Sequence, residues 1–244
     1  QGSGLGGGRN ITVRGVHSIG AEEFGVSVVT PSQEDVIEDV RILDSTFVAP
    51  RLGGIFIGAD GDSRDLGVCS RIQVRGCTVR DAGESGIFLR AGRVSEDWSI
   101  SENHVSWSQS TPGTSPIRLK GFDPRTTTEG DTVSSRLEGL SVVGNHVFGG
   151  EFAGITVSAQ ASEVIIVQNR LYANRGIELR SSQGPIGSVT VVQNQCTRTS
   201  RILHARAVSG SIGPILFAQN LGADLGQGEV LIQETSTYPV TILS

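Results

Sequence analysis

Residues 154 to 180 read GITVSAQASEVIIVQNRLYANRGIELR, and this stretch decides the fold. A short apolar run, GITV, is followed by a second, VIIV, then by Gln168 and Asn169, a third short run and a new GIEL. The unit then starts again: SVTVVQNQC resembles EVIIVQNRL, and PILFAQNL follows. The asparagines Asn145, Asn169, Asn194 and Asn220 stand 24, 25 and 26 residues apart. A near-constant period built from runs too short for helices marks a solenoid, in which each unit buries its apolar face only by stacking on the next.

Working outward, the same pairing of runs recurs through the chain. Ile11-Thr12-Val13 goes with Gly25-Val26-Ser27-Val28, Ile72-Gln73-Val74 with Gly86-Ile87-Phe88-Leu89, and Val189-Thr190-Val191 with Ile202-Leu203-His204. An eighth unit begins at Ile215-Leu216-Phe217 and closes around Val230-Leu231-Ile232. Each run has strand-type residues bounded by Gly, Asn or Ser, and no sustained helical period interrupts them. About eight coils at the spacing of paired strands make a rod of about 38 Å. The expected organisation is a Gly-rich lead-in over residues 1–9, a single β-helix over 10–235 and a tail over 236–244. Ser45, Cys77, Asn103, Asn145, Asn169, Asn194 and Asn220 fall at one turn, where stacked amides hydrogen-bond from coil to coil.

Composition bounds the rest. Net charge is −5 with the two signs interspersed, which gives no electrostatic case for nucleic-acid binding. No apolar run is long enough to span a membrane. The chain opens on Gln1 and contains no Met, which reads as a processed chain or a fragment. Cys69, Cys77 and Cys196 have neither metal nor redox spacing, and they read as small buried hydrophobes.

The GI-x-L strand, the V-x-V-x-x-N turn and the coil length resemble those of the right-handed parallel β-helix proteins, the pectate-lyase-like superfamily. That group includes polysaccharide lyases, polygalacturonase-type hydrolases and phage tailspikes. The resemblance covers roughly residues 10 to 235. It implies an all-β, right-handed parallel β-helix with an Asn ladder, and a polysaccharide partner met outside the cell or at a virion surface. No catalytic signature of these families is present (neither NTD and GHG nor DPH), so no catalytic residue carries over.

Side-chain alternation nominates a site. If Ile and Leu of GI-x-L point inward, the residue between them and the one after point outward. The outward pairs become Ser27/Val29, Phe56/Gly58, Phe88/Arg90, Arg118/Lys120, Thr156/Ser158, Glu178/Arg180 and Leu203/Ala205. Phe56 and Phe88 are expected as exposed platforms for sugar rings, with Thr156 and Ser158 as further substrate contacts. Arg90, Arg118 and Arg180 suit carboxylates, which arginine grips bidentately. Lys120 is the only lysine beside nineteen arginines. Lyase chemistry on a uronate needs cations to neutralise the carboxylate and a base to remove the adjacent proton; neighbouring arginines would depress the Lys120 pKa for that task. The competing reading is compositional: in a chain this rich in Arg, one Lys carries no message.

A hydrolase would need paired carboxylates instead. Asp81, Glu84, Glu151 and Glu178 are the candidates, each also an ordinary turn or surface residue. The loop GADGDSRDLG, with Asp60, Asp62 and Asp65, resembles the first half of a calcium loop and is the candidate Ca2+ site, but lacks the closing Glu. His104 and His146 share a turn column with His17 and read either as a metal or acid–base pair or as turn decoration. An insertion at residues 121–136 is placed to overhang the groove. On the other long strand, Val143, Ile165, Val167, Val192 and Leu216 form an outward apolar patch, expected to be covered by the tail or by further copies in a homo-oligomer such as a trimer.

Overall fold

The computed structural model describes the chain except residues 1–2, 7, 31–34, 60–66, 109–113, 122–124, 127–131, 150–151, 227, 235–236, 238 and 244. Asp60, Asp62, Asp65 and Glu151 therefore lie outside the described residues. Three parallel sheets of nine, eight and nine strands wrap one apolar lumen, which is a parallel β-helix. A coil runs through a long strand of the first sheet, a three-residue strand of the second and a strand of the third. In the repeat quoted above these are Gln160–Val167, Arg170–Tyr172 and Arg175–Arg180. Among the described residues this strand triplet occurs eight times. Ser3–Gly6 adds a strand to the third sheet before them, and Val240–Leu243 adds one to the first sheet after them.

Both termini thus depart from expectation. Ser3–Gly6 pairs in parallel with Phe24–Thr30 instead of forming a loose lead-in. Val240–Leu243 pairs with Ile212–Ala218 instead of lying over Ile165 and Val192. The end coils present bare backbone donors and acceptors, and even Gly-rich or tail residues satisfy these by extending the ladder.

Alternation sets the core. Ile166 of the first sheet, Leu171 of the second, and Ile177 and Leu179 of the third all point inward and are buried. Cys69, Cys77 and Cys196 are free and buried, and burial pushes their thiols up to about 12, 11 and 12. They pack as small hydrophobes.

The corner between the first and second sheets is the most ordered in chemistry. Gly15, Asp44, Gly76, Glu102, Gly144, Gln168, Gln193 and Gln219 hold φ between 49° and 66°, a left-handed residue that turns the chain. The ladder residue follows. Asn145 donates its backbone N–H (3.0 Å) and its Nδ2 (2.9 Å) to Asn169 Oδ1, and Asn169 repeats both bonds to Asn194 Oδ1 at 3.1 and 3.0 Å. Asn194 does the same to Asn220. At the other end Cys77 needs only to donate its backbone N–H, to Asn103 Oδ1 at 2.9 Å. Outside this corner, Gln168, Gln193 and Gln219 form a second, solvent-side ladder.

The glycine of the GI-x-L motif is a matter of space. A Cβ on Gly54 would stand 2.5 Å from a Val79 methyl and 2.7 Å from the Gly86 carbonyl oxygen. On Gly176 it would meet the Cys196 sulfur at 2.7 Å and the Ile202 carbonyl oxygen at 2.6 Å. The third sheet turns so tightly against the second that only glycine fits at these rungs.

Candidate functional site

The outer face of the third sheet carries two columns of side chains. In-register pairing aligns Ser27, Phe56, Phe88, Arg118, Thr156, Glu178 and His204 in one file. The neighbouring file runs Gly58, Arg90, Lys120 and Ser158, and Arg180 lies beside Arg206 further along. Arg90, Arg118 and Lys120 therefore form a basic centre on two adjacent rungs about 4.8 Å apart. Arg90, Arg118 and Lys120 are half-buried, whereas Arg180 is exposed and sits on a later rung.

The two phenylalanines do not form the exposed platform expected of them. Phe56 is only 6% exposed, because Phe24 stacks on one side of it (5.0 Å between centroids, 22°) and Phe88 on the other (5.3 Å, 46°). Phe24 lies at the start of the preceding third-sheet strand, so its coverage is a contact across rungs that alternation does not report. Phe88 is half-buried in turn, with the Arg118 guanidinium 5.0 Å above its ring. This places a cation on an aromatic face and holds the head of Arg118 at one end of the stack. Burial lowers the Arg118 pKa, and the charge of Glu84 acts in the opposite direction.

Beyond the basic centre the face turns polar. Ser115 and Thr156 hydroxyls meet at 2.6 Å, and those of Ser158 and Ser182 at 2.9 Å. Coil seven differs from expectation by one residue: Leu203 and Ala205 point inward, and His204 and Arg206 point outward. Ile202 occupies the place that Gly176 holds one coil earlier. His204 is nevertheless buried, 3.7 Å from Glu178 Oε1, with Arg175 3.8 Å from the same oxygen. Arg175 donates toward His204 Nδ1 at 3.4 Å, and Nε2 can then donate to Gln233 Oε1 at 3.2 Å. A neutral imidazole satisfies both contacts. Glu178 is thereby tied into a network, not set against a second carboxylate.

Burial is the main influence lowering the His204 pKa. Gln233 and Glu178 act to raise it, and Arg175 and Arg201 act with burial. A histidine whose folded pKa lies below its ordinary 6.5 takes up its proton more readily when unfolded, so its stabilisation is present above that pH and is lost as pH falls below it. The expected result is a melting temperature that drops on acidification below about pH 6.5. His204→Gln should flatten part of that drop, as read by circular dichroism melts. His104, also lowered by burial first and by His146 and Arg80 next, contributes in the same direction.

The remaining candidates separate. Asp81 Oδ1 accepts the Ser108 N–H at 2.6 Å, a turn role. The insertion contains a small antiparallel pair, Arg125–Thr126 with Thr132–Val133. Among the described residues no group of three or more His, Cys, Asp or Glu could hold a metal ion, so His104 and His146, with ring centroids 6.5 Å apart, lack further ligands. The pair instead lines a shallow trough of about 270 Å³ on the second sheet, with Phe148, Arg170, Tyr172 and Gln195. The trough is not evident from the repeat alone, although the three-residue strands His146-Val147-Phe148 and Arg170-Leu171-Tyr172 each leave both ends facing outward.

No helix among the described residues is long and apolar enough to cross a membrane. Compared with protein-family models, curated proteins and solved structures, the chain finds no match.

Proposed function

We propose that this β-helix binds an acidic polysaccharide along the third sheet and cleaves it by β-elimination at the Arg90–Arg118–Lys120 centre. One observation carries the reading: the three cations occupy adjacent rungs of one flat face, followed by the hydroxyls of Thr156, Ser158 and Ser182. Arg118 and Arg90 would take a uronate carboxylate, and Lys120 would remove the proton on the carbon beside it. Chain hydroxyls of the glycan would meet Thr156 and Ser158. Ultraviolet absorbance over a panel of uronate-containing polysaccharides, with and without added Ca2+, tests this. A rise from the unsaturated product is expected; its absence, with no new reducing ends, would sink the enzymatic reading.

A second reading is a non-catalytic, glycan-binding or structural shaft segment. The stacking of Phe24, Phe56, Phe88 and Arg118, and the tying of Glu178 to His204 and Arg175, favour it because those side chains contact one another. Hydrolysis is favoured less, since Asp81 and Glu178 are each engaged with other groups. Either leading role would be exercised outside the cell or at a virion surface. Ile165 and Leu216, each 43% exposed, align in one file of the first sheet beside Val143, Val167 and Val192. This apolar face is the proposed contact in a homo-oligomer, a trimer being one such assembly. Sedimentation velocity should show association that Ile165→Glu abolishes; a monomer at all concentrations would overturn it.

A further inference from the structure

The trough on the second sheet has features of a ligand site separate from the third-sheet face. Phe148 and Tyr172 stack almost in parallel, 4.4 Å between centroids at 7°. The far face of Tyr172 is closed by Arg198, whose guanidinium carbon lies 5.6 Å from the ring centroid while NH1 donates to the Tyr172 hydroxyl at 2.6 Å. Among the described residues the other end of the stack is open. The residue paired with Phe148 on the preceding rung is Ser106, too small to cover a phenyl ring, and Phe148 is 51% exposed. One aromatic face is thus held in place from behind and left uncovered in front.

Across the trough from this ring runs a file of exposed polar side chains, one per rung: His104, His146, Arg170 and Gln195. Val147 and Leu171 form its floor. Imidazole, guanidinium and amide groups together offer donors and acceptors repeated at about 4.8 Å along the rod. The depressed His104 pKa keeps that ring neutral near pH 7, able to accept as well as donate.

We infer that this trough is a second carbohydrate-binding site, in which a sugar ring of a linear oligosaccharide lies on the open face of Phe148 and its hydroxyls meet His104, His146, Arg170 and Gln195. The apolar face of a pyranose suits an uncovered phenyl ring, and its rim of hydroxyls suits donors and acceptors on one side. A linear chain fits because the polar groups recur along the rod axis. An extended peptide is disfavoured, because the backbone groups of these strands already pair with the rungs on either side and leave no edge for strand addition. The site does not depend on the third-sheet reading, since it shares no residue with it.

Calorimetric titration of the full chain with linear hexasaccharides tests the inference. The series would be the uncharged cello-, chito- and xylo-oligomers, which lack the carboxylate that the third-sheet cations would grip, with a proline-rich peptide as the competing ligand. At least one hexasaccharide is expected to bind, and Phe148→Ala to weaken it by roughly tenfold, the loss of one stacking face. Phe148 is half-exposed, so its truncation should leave the circular dichroism spectrum unchanged, and Gln195→Ala provides a second, still milder variant. Arg118→Ala and Lys120→Ala should leave this binding as it is. No binding by any hexasaccharide would overturn the inference, as would binding indifferent to both Phe148→Ala and Gln195→Ala, or capture of the peptide alone. Loss on Arg118→Ala instead would assign the sugar to the third sheet.

Discussion

Lys120→Ala is expected to lower turnover of the responsive polysaccharide by about 10²–10⁴-fold, the range for removing a general base, with little change in KM and none in the melting temperature. Lys120 pairs in register with Arg90 on one side and Ser158 on the other, with Arg118 two residues away on its own strand. Arg90 and Arg118 flank Lys120 on this face, where they would hold the uronate carboxylate beside it. Arg118→Lys is the informative partner variant. It keeps the charge but removes the fork that grips a carboxylate and the planar group lying over Phe88, so it should raise KM more than it lowers kcat. Steady-state kinetics on both variants decide the matter. Unchanged turnover in Lys120→Ala would remove that residue from the chemistry and leave the face a binding surface.

Asn169→Ala is expected to destabilise the rod by about 3–5 kcal/mol, measured as a shift in the urea midpoint. Asn169 Oδ1 accepts both the backbone N–H and the Nδ2 of Asn145, and Asn169 Nδ2 donates to the Val142 carbonyl at 2.9 Å and to Asn194 Oδ1 at 3.0 Å. Alanine leaves the Asn145 backbone N–H and one Nδ2 hydrogen without a partner, although that Nδ2 keeps the Ile100 carbonyl at 2.9 Å, and leaves the Val142 carbonyl and Asn194 Oδ1 each short of a donor, at about 1–3 kcal/mol for each stranded group. Asn220 is less buried and is the last rung, so Asn220→Ala should cost clearly less. Equal costs at the two positions would mean that the ladder does not act through burial. The natural column supports the asymmetry: Ser45 and Cys77 stand at its other end, where no full relay is required.

Some of this architecture was legible in the residues because its causes are local. The spacing of Asn145, Asn169, Asn194 and Asn220 defines the coil, and two-residue alternation assigns Ile55, Ile87, Ile117, Ile155 and Ile177 to the lumen, where all five are fully buried. The left-handed turn residue and the ladder Asn behind it are adjacent in sequence, so their pairing needed no tertiary information. The eight coils among the described residues followed from counting. The basic pair was also readable, since Arg90 and Lys120 each follow the inward Leu of successive strands, with Arg118 two residues before Lys120.

What alternation cannot supply is how far each outward side chain is covered by its neighbours one rung away. Phe56 and Phe148 both point outward; Phe24 and Phe88 bury the first, and Ser106 leaves the second bare. His204 faces outward because Ile202 holds the glycine position, which moves the strand by one residue and turns every side chain on it to the opposite face. The sequence by itself determined the coil, its period, its lumen and its ladder, because these depend on residues close together along the chain. Exposure, charge networks and the second-sheet trough were decided by the tertiary structure, because they depend on the sizes of side chains some 25 residues apart that stacking makes adjacent.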